Sequence, residues 1–187
     1  LTTLEAVRRF LQKRPDDTAQ DELLSEAISR ASEAIRTYTG REFAPTDGEA
    51  RTVETTGAVE VWGGRRWSVV GPVDLRAVEA IDDGGTTLAA NDYKLRPANP
   101  RHGVYEWLWV PYRSRERELI VTGDWGFARV PDDVEHWCIV TVTIWLRREV
   151  TPFERTFDID EQRLERPMSL PSSVLAGLDH YRRRGVA

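Results

Sequence analysis

VEHWCIVTVTIWLRREV, residues 134–150, reads in two ways, and the choice decides the fold. Ile139, Val140, Val142 and Ile144 are β-branched, as in a buried strand. Yet Val134, Trp137, Cys138, Thr141, Trp145 and Arg148 recur at the three- and four-residue intervals of one helical face. Pro131, Asp132 and Asp133 precede the stretch, and Arg147 and Arg148 stand near its end. Acid at the start and base at the end suit the dipole of a helix. A helix over 132–148 is therefore expected, and the chain then has helices on both sides of a strand-rich middle.

On the N-terminal side, Leu24, Ile28, Ala31, Ile35 and Tyr38 form an apolar stripe with Leu23, Ala27 and Ala34 beside it. Asp17 with Gln20 is a candidate capping box, and Gly40 stands where a left-handed residue ends a helix. This predicts a helix over 18–39. Thr2 with Glu5 is a second candidate capping box, and Leu4, Val7, Phe10 and Leu11 continue at helical spacing, giving a short helix over 3–13. Pro15 and Asp16 break it. A helix that short is marginal alone and must pack on something.

Between the helices, residues 51–122 change texture. Runs at 52–56, 58–62, 67–70, 78–82, 86–88, 92–95, 104–110 and 118–122 alternate with turn residues. Asp83-Gly84-Gly85 and Gly63-Gly64 are hairpin signals. A small antiparallel β insertion follows, and 123–129 reads as a turn-rich bridge. Beyond 148 comes a charged arm with Pro152 and Pro167. It ends in an amphipathic stretch opened by Pro171, with Ser172 or Ser173 as a cap and Val174, Leu175, Leu178 and Tyr181 on one face. The expected fold class is α+β. A small helical bundle carries the β insertion in a core of residues 1–148, and residues 149–187 form a C-terminal arm ending in a short helix.

The chain has 187 residues, a net charge of −5, 40% hydrophobic and 30% charged residues. That suits a domain able to bury a core, and it opposes sequence-independent phosphate binding, which needs a basic surface. No run approaches the ~20 apolar residues of a membrane helix. The single cysteine, Cys138, has no internal disulfide partner, which fits a reducing compartment such as a bacterial cytoplasm.

A search for chemistry finds no phosphate loop and no nucleophile elbow. Gly63-Gly64-Arg65-Arg66 reads as a hairpin tip with solvated arginines in preference to an anion loop. His102, His136 and His180 lie in different elements, and His136 and Cys138 would point apart on a helix, so no metal is expected. Asp158, Asp160 and Glu161 read as part of a solvated arm. No cofactor and no enzymatic activity are predicted. Two features stand out: the arm, whose short helix must dock either back on its own core or on a partner, and the aromatic set Trp62, Trp67, Trp107, Trp109 and Tyr112. Core packing accounts for about two of these rings, and exposed aromatics suit an interface.

The order of pieces along the chain resembles the head-tail connector (adaptor) proteins of tailed phages. Asp21–Phe43, with Tyr38, Thr39, Gly40, Arg41 and Phe43 at its turn, is similar to the family's opening helix. Val69–Leu95 is similar to its Pro-Val run, hairpin and Asp-Tyr-x-Leu strand. Leu119–Pro131 is similar to its strand and turn before a helix, with Trp125-Gly126-Phe127 replacing the usual Thr-x-Gly-Tyr. The resemblance implies a structural subunit that forms a homo-oligomeric, twelve-fold ring under the portal. Such a ring extends the DNA channel, helps retain packaged DNA and offers a platform to a head-closure or tail protein. DNA would pass through without specific binding. The subunit would reside in the virion, at the head-tail interface, after assembly in the host cytoplasm. By the same analogy, Leu170, Val174, Leu178, Tyr181 and Arg182 are the expected portal contacts. Another phage assembly protein, an enzyme with a dispersed site and a nucleic-acid-binding module are the competing classes.

Overall fold

The computed structural model describes residues 1–12, 14, 18–113, 118–150 and 169–183. Packing divides the chain into two compact units, one of residues 1–41 with 131–187 and one of residues 42–130.

The first unit contains helices α1 (Leu4–Phe10), α2 (Asp21–Thr39), α3 (Asp132–Val150) and α4 (Ser172–Leu178), and a 3-10 turn at Asp179–Tyr181. The ambiguous stretch is a helix. Val134, Cys138, Thr141, Val142 and Trp145 are buried along it, and β-branched Ile139 joins them because the buried face is wide. The fully buried Val7, Leu24, Ala31, Ile35, Val134, Cys138, Val142, Val174 and Leu178 form this unit's core.

Several boundaries differ from expectation. Helix α1 is capped by Thr3, whose Oγ1 accepts from Ala6 N at 3.1 Å. Thr2 instead donates to Glu135 at 3.1 Å. The helix ends at Phe10, since Gln12 takes a left-handed conformation, φ 55°. Helix α2 begins at Asp21 with no side-chain cap at Gln20. Asp21 pairs with Arg8 at 2.7 Å, tying α1 to α2. The proposed cap Asp17 lies outside the described residues. Gly40 closes α2 at φ 65°, as its sequence position predicts. Neither Ser172 nor Ser173 caps α4. Pro171 occupies that position, and its carbonyl accepts from Leu175 N at 3.0 Å.

The second unit is a six-stranded antiparallel sheet, β1 (Thr46–Trp62), β2 (Arg65–Val70), β3 (Leu75–Asp82), β4 (Lys94–Arg96), β5 (Trp107–Pro111) and β6 (Glu118–Trp125), in the order β3-β6-β1-β2-β5-β4. The runs at 52–56 and 58–62 are one strand. Gly57, at φ 75°, sits in the register shift between Thr55 and Val59 and bends β1 without ending it. The first half of β1 pairs with β6 and the second with β2, so one strand serves both halves of the sheet. The sheet curls until β3 meets the approach to β5. Leu75 and Tyr105 exchange backbone hydrogen bonds of 3.0 and 2.8 Å. The run at 86–88 contributes only a bridge from Thr87 to Asp82 across the predicted Asp-Gly turn. Strand β6 extends to Trp125, into the expected bridge.

Alternation fills the curl. Val70, Leu75, Ile81, Leu108, Val110, Leu119, Val121 and Trp125 point inward and pack together. The two ends of the unit are clamped at Asp74. Its carboxylate accepts from Glu42 N at 3.0 Å and its carbonyl from Gly126 N at 2.8 Å, while the rings of Phe43 and Phe127 lie 5.0 Å apart.

Candidate partner-binding surfaces

Within the first unit, the C-terminal segment folds onto α2 and α3. Val174, Leu178 and Tyr181 are buried, Leu170 is half-buried and Arg182 is exposed. The turn after α4 is fastened by polar contacts. The Tyr181 hydroxyl donates to Asp133 Oδ1 at 2.8 Å, and its carbonyl accepts from Arg41 Nε at 2.9 Å. Arg183 N donates to the Thr39 carbonyl at 2.9 Å. His180 Nε2 lies 3.3 Å from the other Asp133 oxygen, and the Arg182 guanidinium sits 5.6 Å from the Tyr38 ring centre. Of the five residues expected to meet a partner, the structure therefore leaves Leu170 and Arg182 accessible. The other three hold the segment in place.

The reason α4 seats so closely is Gly177. A Cβ there would lie 2.2 Å from the indole of Trp137. Gly177→Leu is expected to lift α4 from α3 while leaving α2 and α3 paired. Faster limited proteolysis around residues 170–183, with the far-ultraviolet signal nearly unchanged, would show it. Unchanged proteolysis would mean that the Trp137 ring yields instead.

Leu170 also lines a groove of about 870 Å³ with Ser29, Arg30, Ala34, Tyr38 and Trp145. Its α2 wall mixes polar Ser29 and Arg30 with Ala34 and Tyr38 of the expected apolar pattern, whereas the meeting of that wall with Leu170 and Trp145 was not legible in the sequence.

In the second unit, cross-strand pairing puts Trp62, Trp67, Trp107 and Trp109 on one face of the sheet, buried to different depths. Trp67 is buried, Trp62 is 50% exposed, and Trp107, Trp109 and Tyr112 are half-buried. Cations lie over these rings: Lys94 is 4.7 Å from Trp62 and 5.5 Å from Trp67, and Arg96 is 5.0 Å from Trp62 and 4.6 Å from Trp109. Arg65 is 5.6 Å from Trp67 and Arg66 is 4.0 Å from Tyr112. Each such stack is favourable by roughly 0.5–1 kcal/mol at exposed sites. The aromatics were legible in the sequence. The cations of β4 were not, since nothing in the sequence pattern singles out Lys94 or Arg96. The tip Gly63-Gly64 is the predicted hairpin turn, with both φ values positive.

Among the described residues, no cluster of three or more His, Cys, Asp or Glu side chains could hold a metal. Asp158, Asp160 and Glu161, and most of the charged arm, fall outside the described residues. His136 is exposed and Cys138 buried, on different sides of α3. Burial pushes the Cys138 thiol up, partly offset by the Ser32 hydroxyl 3.7 Å away. A raised folded value means the native state keeps its proton longer than the unfolded chain. The associated stability is full below the ordinary thiol range and is lost as pH rises above it. Native protein at pH 8 should thus resist iodoacetamide and react only once denaturant unfolds it; fast native labelling would contradict the burial.

The described surfaces are a tightly seated tail on the helical unit and a cation–aromatic face on the sheet unit. The chain belongs to the head completion protein family, whose model matches residues 1–184. Its fold is shared with a chain from the neck of an empty GTA particle, computed with C6 symmetry. That likeness has a TM-score of 0.53 at 15% identity and covers 98% of this chain and 90% of the other. No curated protein matches the sequence. The family match gives the chain a structural role in head completion.

Proposed function

We propose that this chain is a non-enzymatic connector subunit that forms a ring between the portal and the tail of a phage-like particle. The family match over residues 1–184 carries this reading. Six-fold symmetry in the neck of the structural neighbour is compatible with a twelve-subunit ring, since a twelve-fold axis contains a six-fold one. The ring extends the DNA channel, helps retain the packaged DNA and receives a head-closure or tail protein. A net charge of −5 supports passage of DNA without adhesion, because an acidic wall repels phosphate.

The C-terminal segment is the proposed portal contact. Leu170 and Arg182 offer the accessible surface, and Val174, Leu178 and Tyr181 fix its shape from beneath. Deleting the gene should give DNA-packed heads that leak their DNA and carry no tails, and supplying the chain in trans should restore tailed particles. Normal tailed particles in the deletion strain would refute the reading. For the portal contact, Leu170→Asp with Arg182→Glu should abolish co-purification with portal while the melting temperature is kept. Retained binding would move the contact elsewhere.

A further inference from the structure

The outer faces of the two halves of the curled sheet carry opposite charge. On the half built from β3, β6 and the start of β1, Glu54 lies directly opposite Glu118, and Ile120 lies between Thr52 and Asp82. Ile120 is 49% exposed, and its other surroundings are small: Ala50, Ala80 and Thr122. Like charges directly opposite across strands destabilise a sheet, so this face costs the lone subunit stability. On the other half, cross-strand pairing puts Trp62 with Arg65, Trp109 with Lys94 and Trp107 with Arg96 on one face. There Lys94 and Arg96 stack over the tryptophans as described, with Glu60 opposite Trp67 as the acidic residue of the same face. Among the described residues, Glu54, Glu118, Arg65, Lys94 and Arg96 form no ion pair.

We propose that these two faces bind each other between neighbouring copies of the chain: Glu54, Glu118 and Asp82 around Ile120 on one subunit dock on the cation–tryptophan layer of the next. The chemistry is complementary in two respects. Carboxylates meet guanidinium and ammonium groups already oriented by the rings beneath them. The protruding Ile120 meets exposed indole surface at Trp62. The contact joins two different patches, so it is heterologous and propagates around a ring. A nucleic acid is the weaker occupant, since Glu60 shares the cationic face and the chain as a whole is acidic.

The inference rests on the ring reading above, and one pair of variants separates the two. Glu54→Lys with Glu118→Lys makes the acidic face basic. Arg65→Glu with Lys94→Glu makes the basic face acidic, and leaves Arg96 and the tryptophans in place. Each variant alone should fail to self-associate and should fail to appear at particle necks. An equimolar mixture should recover both, because in alternation every contact again joins opposite charges. Recovery of about tenfold or more in association over either variant alone is expected, falling with added salt. Native mass spectrometry reads the association, and electron microscopy of particles made in a deletion strain reads the necks. Thermal melts confirm that each variant folds; if one does not, Trp62→Ser replaces it on the basic face and Ile120→Lys on the acidic face, and loss of association is read directly. A variant that folds and assembles alone overturns the inference, as does a folded mixture no better than its parts. DNA binding lost only with Arg65→Glu and Lys94→Glu, with self-association unchanged, also overturns it. Wild-type protein that self-associates through these faces yet is absent from necks would refute the ring's proposed location and leave the inference standing.

Discussion

Trp125→Ala is expected to destabilise the sheet unit by about 3–5 kcal/mol, the range for removing a fully packed aromatic ring. Trp125 is 2% exposed at the end of β6, packed with Leu75 and Val121 in the curl. Its indole Nε1 donates to the Glu49 carbonyl at 2.8 Å, and the Arg51 guanidinium lies 4.8 Å from the ring centre. Truncation would leave a cavity, an unpartnered carbonyl and an unstacked cation together. Urea unfolding followed by circular dichroism should show a lower midpoint with the slope unchanged. A shift of under 1 kcal/mol would mean that the ring is peripheral to the core.

The second large effect is expected one residue on. Gly126 has φ 72°, and an added Cβ would stand 2.0 Å from the Ala44 carbonyl oxygen and 3.2 Å from that of Glu42. All these neighbours are backbone, so no side-chain rotation relieves the clash. The left-handed conformation alone costs a non-glycine residue roughly 1–2 kcal/mol. Gly126→Ala should therefore cost about 3 kcal/mol or more and break the Asp74 clamp, placing it in the tail of the mutational distribution. Loss of amide protection at Glu42 and Gly126 would check this by hydrogen exchange. Gly84→Ala is the control: φ there is 64°, but nothing lies within 4 Å of the added atom, so the clash is absent and only the conformational cost remains.

The helices were legible because their signals are local. The apolar stripe of α2 and Gly40 at its end set that element, and the helical face of 134–150 outweighed its β-branched residues. The sheet was legible in its runs but not in its connections. Gly57 looked like a break and is a bend, because a bulge lets a glycine continue a strand. Gly123 looked like a turn and is part of β6; a Cβ there would lie 2.1 Å from the Ala77 carbonyl, so only glycine allows β3 to come so near. The candidate surfaces were half legible. Val174, Leu178 and Tyr181 share a face as predicted, but sequence cannot tell whether such a face covers the chain's own core or another molecule. Trp62 and Trp109 belonged to an aromatic set expected to be part core and part interface, whereas the cations beside them, Lys94 and Arg96, lie some thirty residues from Trp62 in sequence and reach it only through the pairing of the sheet.

The Asp74 clamp has a consequence for how the chain can be taken apart. A module whose entering and leaving strands are both bonded to one residue, Asp74, carries its own closure. Residues 42–130, made alone, should fold and show the dispersed amide spectrum of a sheet protein. The same geometry makes the unit portable, so that a related scaffold could acquire or discard it as a cassette through a single double-stranded graft point.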